Sequence, residues 1–104
     1  MEKDSRIYVA GHSGLVGSAI LRNLDENGYR KIVTASHAEL DLVERAKVDA
    51  FFKQERPEYV IMAAARVGGI QANSNYPAEF IYQNIMMQSN VIDLAYRYGV
   101  KKLL

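Results

Sequence analysis

VAGHSGLVGSA, residues 9–19, sets Gly11, Gly14 and Gly17 three apart, between an apolar run and a helix-forming one. Three of the chain's seven glycines stand in this one turn, and it decides how the flanking segments are read. Residues 6–10 (RIYVA) are a β-branched and aromatic run that stops at Gly11, which predicts a first strand. From about residue 14 to 27, Val16, Ile20 and Leu24 recur at four-residue spacing and Asn27-Gly28 supplies a stop, which predicts a helix.

The same reading extends along the chain. Residues 31–35 (KIVTA) form a second strand, and 39–42 (ELDL) is short enough to be a brief extra one. Asp41 and Glu44 have the form of a capping pair for a second helix, whose apolar face is Val48, Phe51 and Phe52, up to Pro57. Residues 59–65 (YVIMAAA) are almost uninterruptedly apolar, the pattern of a strand covered on both faces. After a loop over 67–76, a long helix runs from about Pro77 to Gly99. One stripe of it carries Phe80, Met87, Val91, Leu94 and Tyr98. A second carries Ile81, Ile85, Ile92 and Ala95, so the helix must be covered twice, once by the sheet and once by a second copy of the chain. Asn84 falls on the first stripe, where a buried amide needs partners, while Asn90 falls on the polar side with Arg97.

The order β, α, β, (β), α, β, α, β with short connections predicts an α/β fold, a doubly wound parallel sheet of Rossmann type. In such a sheet a glycine turn after the first strand lets the backbone approach a pyrophosphate, whose charge meets free N–H groups and the positive end of a helix dipole. Gly11 would allow the tight turn, Gly14 the approach to phosphate, and Gly17 the packing of helix on strand.

Bulk properties limit the alternatives. The 104 residues carry a formal charge of +1, from 13 basic and 12 acidic residues that are interspersed, so nothing favours nucleic acid or an anionic membrane surface as partner. No apolar run approaches the ~18 residues of a membrane span, and the charged opening MEKDSR is unlike a secretory signal, so a cytoplasmic location is expected. Two histidines 25 apart make no metal motif. The sequence closes on VKKLL, the start of a strand without punctuation, and reads as a dinucleotide-binding domain over 1–104 cut before its catalytic segments.

The spacing G-x-x-G-x-x-G, together with AGHSGLVGSAI (10–20), ELDL (39–42), AAARVGGI (63–70), NYPAEFIYQN (75–84) and NVIDLAYRYGVKKLL (90–104), resembles the GDP-L-fucose synthases of the extended short-chain dehydrogenase/reductase family. The resemblance implies NADP(H) as cofactor and GDP-4-keto-6-deoxymannose as substrate, epimerised at two carbons and then reduced. Another nucleotide-sugar epimerase or reductase, or a non-catalytic dinucleotide-binding module, is the alternative. Cofactor contacts implied are Gly11, Ser13, Gly14, Leu15, Val16 and Gly17 in the loop; Asp41 and Leu42 beside the adenine; Ala63, Ala64 and Ala65 at the strand end; and Asn84.

The choice between cofactors also has a local basis. A site for NAD places a carboxylate about 20 residues past the glycine loop to hold the ribose 2′-hydroxyl. Counting on from Gly17 leads to His37, and no carboxylate appears before Glu39. Ser36 and His37 could instead donate to a 2′-phosphate, with Ser13 adding a hydroxyl. His12 reads as a solvent-facing loop residue, and Arg66 as an exposed one. The family's catalytic serine and Tyr-x-x-x-Lys are not found; Tyr98 and Lys102 match the spacing, but Lys102 opens a strand and cannot share a helical face with Tyr98. No catalytic residue is assigned within this chain.

Overall fold

Four strands, β1 (Arg6–Ala10), β2 (Lys31–Val33), β3 (Tyr59–Met62) and β4 (Lys102–Leu103), form one parallel sheet in the order β2-β1-β3-β4. Three helices connect them: α1 (Leu15–Glu26), α2 (Arg45–Glu55) and α3 (Pro77–Arg97). The computed structural model describes residues 1–64 and 77–104. The expected loop over 67–76, with Ala65 and Arg66, lies outside the described residues.

Alternation along β1 explains why both sheet faces need helices. Tyr8 and Ala10 join Val60, Phe52, Val48, Val91 and Leu94 in the core under α2 and α3. Ile7 and Val9 turn the other way and pack with Leu24, Ile20 and Ile61 under α1. A strand buried on both sides reads as continuously apolar, as RIYVA does. Tyr8 anchors the larger core, its ring 4.7 Å from that of Phe51 and 6.1 Å from that of Phe52; burial pushes its hydroxyl well above the usual tyrosine range.

The chain leaves β1 toward β2 on one side, then crosses through α2 to β3 on the other. Register fixes the consequence: Ala10 lies opposite Met62, and the Ala63 N–H donates to the Ala10 carbonyl at 2.9 Å. The carboxyl ends of β1 and β3 therefore sit side by side where the winding reverses, the place at which open α/β sheets leave a crevice.

Several expectations need correction. Residues 39–42 make no strand; they lie in turns closed by Leu40 N–H to Ser36 carbonyl at 2.8 Å and Glu44 N–H to Asp41 carbonyl at 3.0 Å. Asp41 and Glu44 do not cap α2 as a pair: Glu44 is itself the N-cap, without a side-chain cap bond. Asp41 Oδ1 accepts from the Val43 N–H at 3.1 Å and Glu44 reaches Lys47 at 2.9 Å. β2 and β3 stop at Val33 and Met62, short of 35 and 65. On α3 the buried face is Met87, Asn90, Val91, Leu94 and Ala95, so Ala95 belongs to the core and Asn90 is not on the polar side.

Asp93 ties α3 to α2. Its carboxylate accepts from Arg45 at 2.6 Å and from Arg97 at 2.9 Å, and these guanidiniums, Arg45 first, hold the carboxyl below the ordinary 3.8. A carboxyl depressed in the folded state stabilises above its unfolded value and loses that contribution as pH falls through the folded one. Asp93→Asn is therefore expected to flatten the loss of stability below pH 3.8, read as the denaturation midpoint against pH. An acid limb as steep as that of the parent chain would contradict this role. The effect is small, because the group is exposed and salt-screened.

Candidate dinucleotide-binding site

Gly11 leaves β1 at φ +83°, a conformation that L side chains rarely adopt. A Cβ there would also lie 2.6 Å from the Ala64 nitrogen, so the turn rests directly on the backbone at the end of β3. The Gly14 N–H closes the turn on the Gly11 carbonyl at 3.2 Å. Gly14 is then the N-cap of α1, and no side chain caps it. Ser18 N–H takes the Gly14 carbonyl at 2.8 Å as the first helical bond, which leaves Leu15 and Val16 N–H groups in the first turn without an intrahelical acceptor. Gly17 is buried against the loop: a Cβ on it would sit 1.8 Å from the Gly11 carbonyl oxygen.

The three glycines thus answer to different demands. Gly11 and Gly17 are required by the packing of the fold. Gly14 has ordinary backbone angles, φ −76° and ψ 173°, and a Cβ on it would meet nothing nearer than 3.6 Å. The polypeptide itself places no demand for glycine at this position, yet it borders an open cleft.

That cleft has a volume of about 310 Å³ and opens at the carboxyl ends of β1 and β3. Gly11, His12, Ser13 and Gly14 form one wall, Ala63 and Ala64 the floor, and Ala35, His37, Leu40 and Leu42 the far side. Tyr8 and Met87 line it from beneath. Buried Leu40 and Leu42 offer an apolar ledge at the β2 side, small alanines give access to the strand ends, and a helix N-terminus opens at the glycine wall. Such a cleft suits a ligand with an aromatic end and a central anion.

Among the expected contacts, Gly11, Ser13, Gly14, His37, Leu42, Ala63 and Ala64 are brought together around this cleft. Leu15 and Val16 are exposed, and their side chains line a separate apolar groove with Ala19, Ile20 and Ile61; only their backbone N–H groups bear on the site. Asp41 stands just outside, with its Oδ2 4.0 Å from His37 Nε2. Ser36 is outside as well: its hydroxyl accepts the Glu39 N–H at 3.2 Å, while its own N–H donates to Glu39 Oε1 at 2.9 Å. The Ser36 N–H first, then its hydroxyl, hold the Glu39 carboxyl below its ordinary value, with a further contribution from His12. Asn84 is half-buried on α3, three residues before Met87. Ala65 falls outside the described residues.

Sequence reading missed Tyr8, Ala35, Leu40 and Met87 as lining residues and took His12 for a solvent-facing one. His12 is half-buried, and its Nδ1 has no hydrogen-bond partner among the described residues. Met87 and Leu40 carry ordinary core signals, so their pattern alone could not reveal a ligand. Tyr98 and Lys102 lie far from any such role. Lys102 pairs with Tyr59 at the beginning of β3, the opposite end of the sheet from the cleft, and the Tyr98 hydroxyl donates to Asp49 at 2.8 Å.

Comparison with known proteins agrees with this geometry. The sequence profile of the NAD dependent epimerase/dehydratase family matches residues 7–104. The chain belongs to that family. Within the epimerase/dehydratase family it is similar to GDP-L-fucose synthase 1 of Arabidopsis thaliana, at 59% identity over 103 residues, 99% of this chain and 32% of that protein. Among solved structures it is similar to MlghC, a GDP-mannoheptose C4 reductase of Campylobacter jejuni with NADP bound, at 45% identity and a TM-score of 0.94. That match covers 99% of this chain and 30% of the other. A GDP-L-fucose synthetase of Naegleria fowleri bound to NADP has a TM-score of 0.86 at 33% identity, over 99% of this chain and 31% of that one. The chain spans about a third of the length of these epimerase/dehydratase relatives.

Proposed function

We propose that residues 1–104 are the dinucleotide-binding part of an NADP(H)-dependent epimerase/reductase that converts GDP-4-keto-6-deoxymannose to GDP-L-fucose. The observation that carries the cofactor half of this reading is Gly14, a glycine at the mouth of the cleft that packing does not explain. Relatives named GDP-L-fucose synthase support the substrate half.

In this reading the pyrophosphate lies over Gly14 and is met by the N–H groups of Leu15 and Val16 and the positive end of α1. The Ser13 hydroxyl adds a donor. Gly11, Ala63 and Ala64 keep the floor low enough for a ribose to lie on it, and Leu42 presents an apolar edge to the adenine. Bound NADPH supplies hydride to a ketone; the residues described here hold and orient it. Asn84, Ala65 and Asp41 remain candidate contacts. The enzyme acts in the cytoplasm as a homodimer joined through the helix at 78–98. The dimer is supported by Ile81, Tyr82, Ile85, Ile92 and Tyr96, large apolar side chains exposed along α3.

Gly14→Ala separates the ligand from the fold. The new methyl meets only the Gly11 carbonyl at 3.6 Å, an ordinary contact; alanine is a poorer N-cap than glycine, but at these ordinary backbone angles the lower entropy of the unfolded alanine chain offsets part of that loss. Stability is expected to change by less than ~1 kcal/mol, while the dissociation constant for NADPH rises by about tenfold or more as the methyl stands between phosphate and backbone. Calorimetric titration alongside urea unfolding reads both. A variant that binds NADPH as tightly as the parent chain would remove the phosphate from this position.

A further inference from the structure

The first carboxylate after β2 is Glu39, and its position is unusual for a group so close to a dinucleotide cleft. The chain between β2 and α2 makes one tight turn at residues 36–40, and Ser36 and Glu39 clasp each other across it. The Ser36 N–H donates to Glu39 Oε1 at 2.9 Å, and the Glu39 N–H donates to Ser36 Oγ at 3.2 Å. The Leu40 N–H completes the turn on the Ser36 carbonyl at 2.8 Å. This is the reciprocal geometry of a capping box, used here on an isolated turn. Its neighbours on either side, His37 and Leu40, line the cleft, whereas Ser36 and Glu39 do not.

From this geometry we infer that the Ser36–Glu39 clasp determines cofactor specificity by withholding a carboxylate. The inference rests on the reading of the cleft as a dinucleotide site. In a site for NAD, a carboxylate beyond the second strand accepts from the ribose 2′-hydroxyl and repels a 2′-phosphate. Here the acid exists in the sequence, but its Oε1 accepts from the Ser36 N–H and the residue is not among those that line the cleft. Asp41, the next carboxylate, is similarly engaged, by the Val43 N–H and beside His37. The ledge is lined by His37 and small Ala35, with neither Glu39 nor Asp41 among the lining residues. Ser36 acts through Glu39, as a positioning residue, and does not itself touch the phosphate.

Ser36→Ala removes the hydroxyl that accepts the Glu39 N–H and that helps to hold its carboxylate, leaving the Ser36 N–H alone on Oε1, and the loosened Glu39 can swing toward the ribose. The readout is the ratio of dissociation constants for NADH and NADPH, two ligands that differ only in the 2′-phosphate. The ratio is expected to fall by about fivefold, what one partly solvated charge contact is worth. The double variant S36A/E39Q keeps the loosened turn and removes the charge, and is expected to recover the parent ratio. A ratio unchanged in Ser36→Ala overturns the inference. So does an equal loss in the single and double variants, which would mean that the Ser36 hydroxyl binds phosphate directly or that the turn matters only for shape. A parent chain that binds neither dinucleotide overturns the underlying reading of the cleft, and that outcome is distinguishable from the other two.

Discussion

Gly17→Ala is expected to destabilise the fold by ~3 kcal/mol or more, at or beyond the upper end of ordinary over-packing. The added carbon would lie 1.8 Å from the Gly11 carbonyl oxygen and 2.6 Å from the Gly11 carbonyl carbon. Neither is the tip of a flexible side chain. Relief requires α1 to slide off the loop, which would uncover Leu24 and Ile20 from Ile7 and Val9. Against a total stability of ~5–15 kcal/mol for a typical domain, such a loss is severe. Gly28→Ala is the matching control. Gly28 has φ +83° but nothing within 4 Å of a new Cβ, so only backbone strain of ~1–2 kcal/mol opposes alanine there. Urea midpoints at unchanged slope should rank the parent chain above Gly28→Ala and Gly28→Ala above Gly17→Ala. The reverse order of the two variants would mean that α1 does not sit as close to the loop as the structure places it.

This contrast shows which parts of the molecule could be read from sequence. The glycine triplet was legible because punctuation is local: a strand pattern stops, glycines follow, a helix pattern starts. What each glycine is for was only partly legible. The close packing of Gly17 was expected, but the atom it packs on, the Gly11 carbonyl, belongs to the loop itself. The division of labour that singles out Gly14 needed coordinates. The segment 39–42 misled for a physical reason. Leu40 and Leu42 are both buried, so the alternation of apolar and acidic residues is real, but two successive turns produce it instead of an extended strand. The clasp of Ser36 and Glu39 has the S-x-x-E form that marks a helix start; with no helix following it, the signal went unread.

The same limit applies to contacts made at long range. A helical wheel groups Asn90 with exposed Arg97, yet Asn90 is buried and its Nδ2 donates to the Leu42 carbonyl at 2.8 Å and the Val43 carbonyl at 3.2 Å. Those acceptors are 48 and 47 residues away in the chain, and no periodicity reports them. The amide does for the 41–43 turns what a neighbouring strand would have done, supplying donors to carbonyls that no ladder reaches.

Asn90→Leu follows as a test with a large effect. Leucine shares the branched outline and heavy-atom count of asparagine, with bulkier tips, but has no donor, so both carbonyls lose their partner where water has little access. An unsatisfied buried acceptor costs ~1–3 kcal/mol, and the pair should cost about 2–4 kcal/mol together, measured by urea unfolding. The effect should also reach the cleft, since Leu42 lines it. Asn90→Asp adds a signature that simple loss of packing lacks. Its ionised carboxylate would face two carbonyl oxygens, which raises the folded-state pKa of the introduced group above the ~3.9 of an unfolded chain. The folded state then binds the proton more tightly than the unfolded one, so stability relative to the parent should rise as pH falls toward 4 and worsen as it climbs to 7. Once protonated, the group can again donate one of the two hydrogen bonds. If Asn90→Asp ran parallel to the parent chain across this range, the carbonyls would have to be satisfied by something other than Asn90, and the amide would lose its place as the link between α3 and the wall of the cleft.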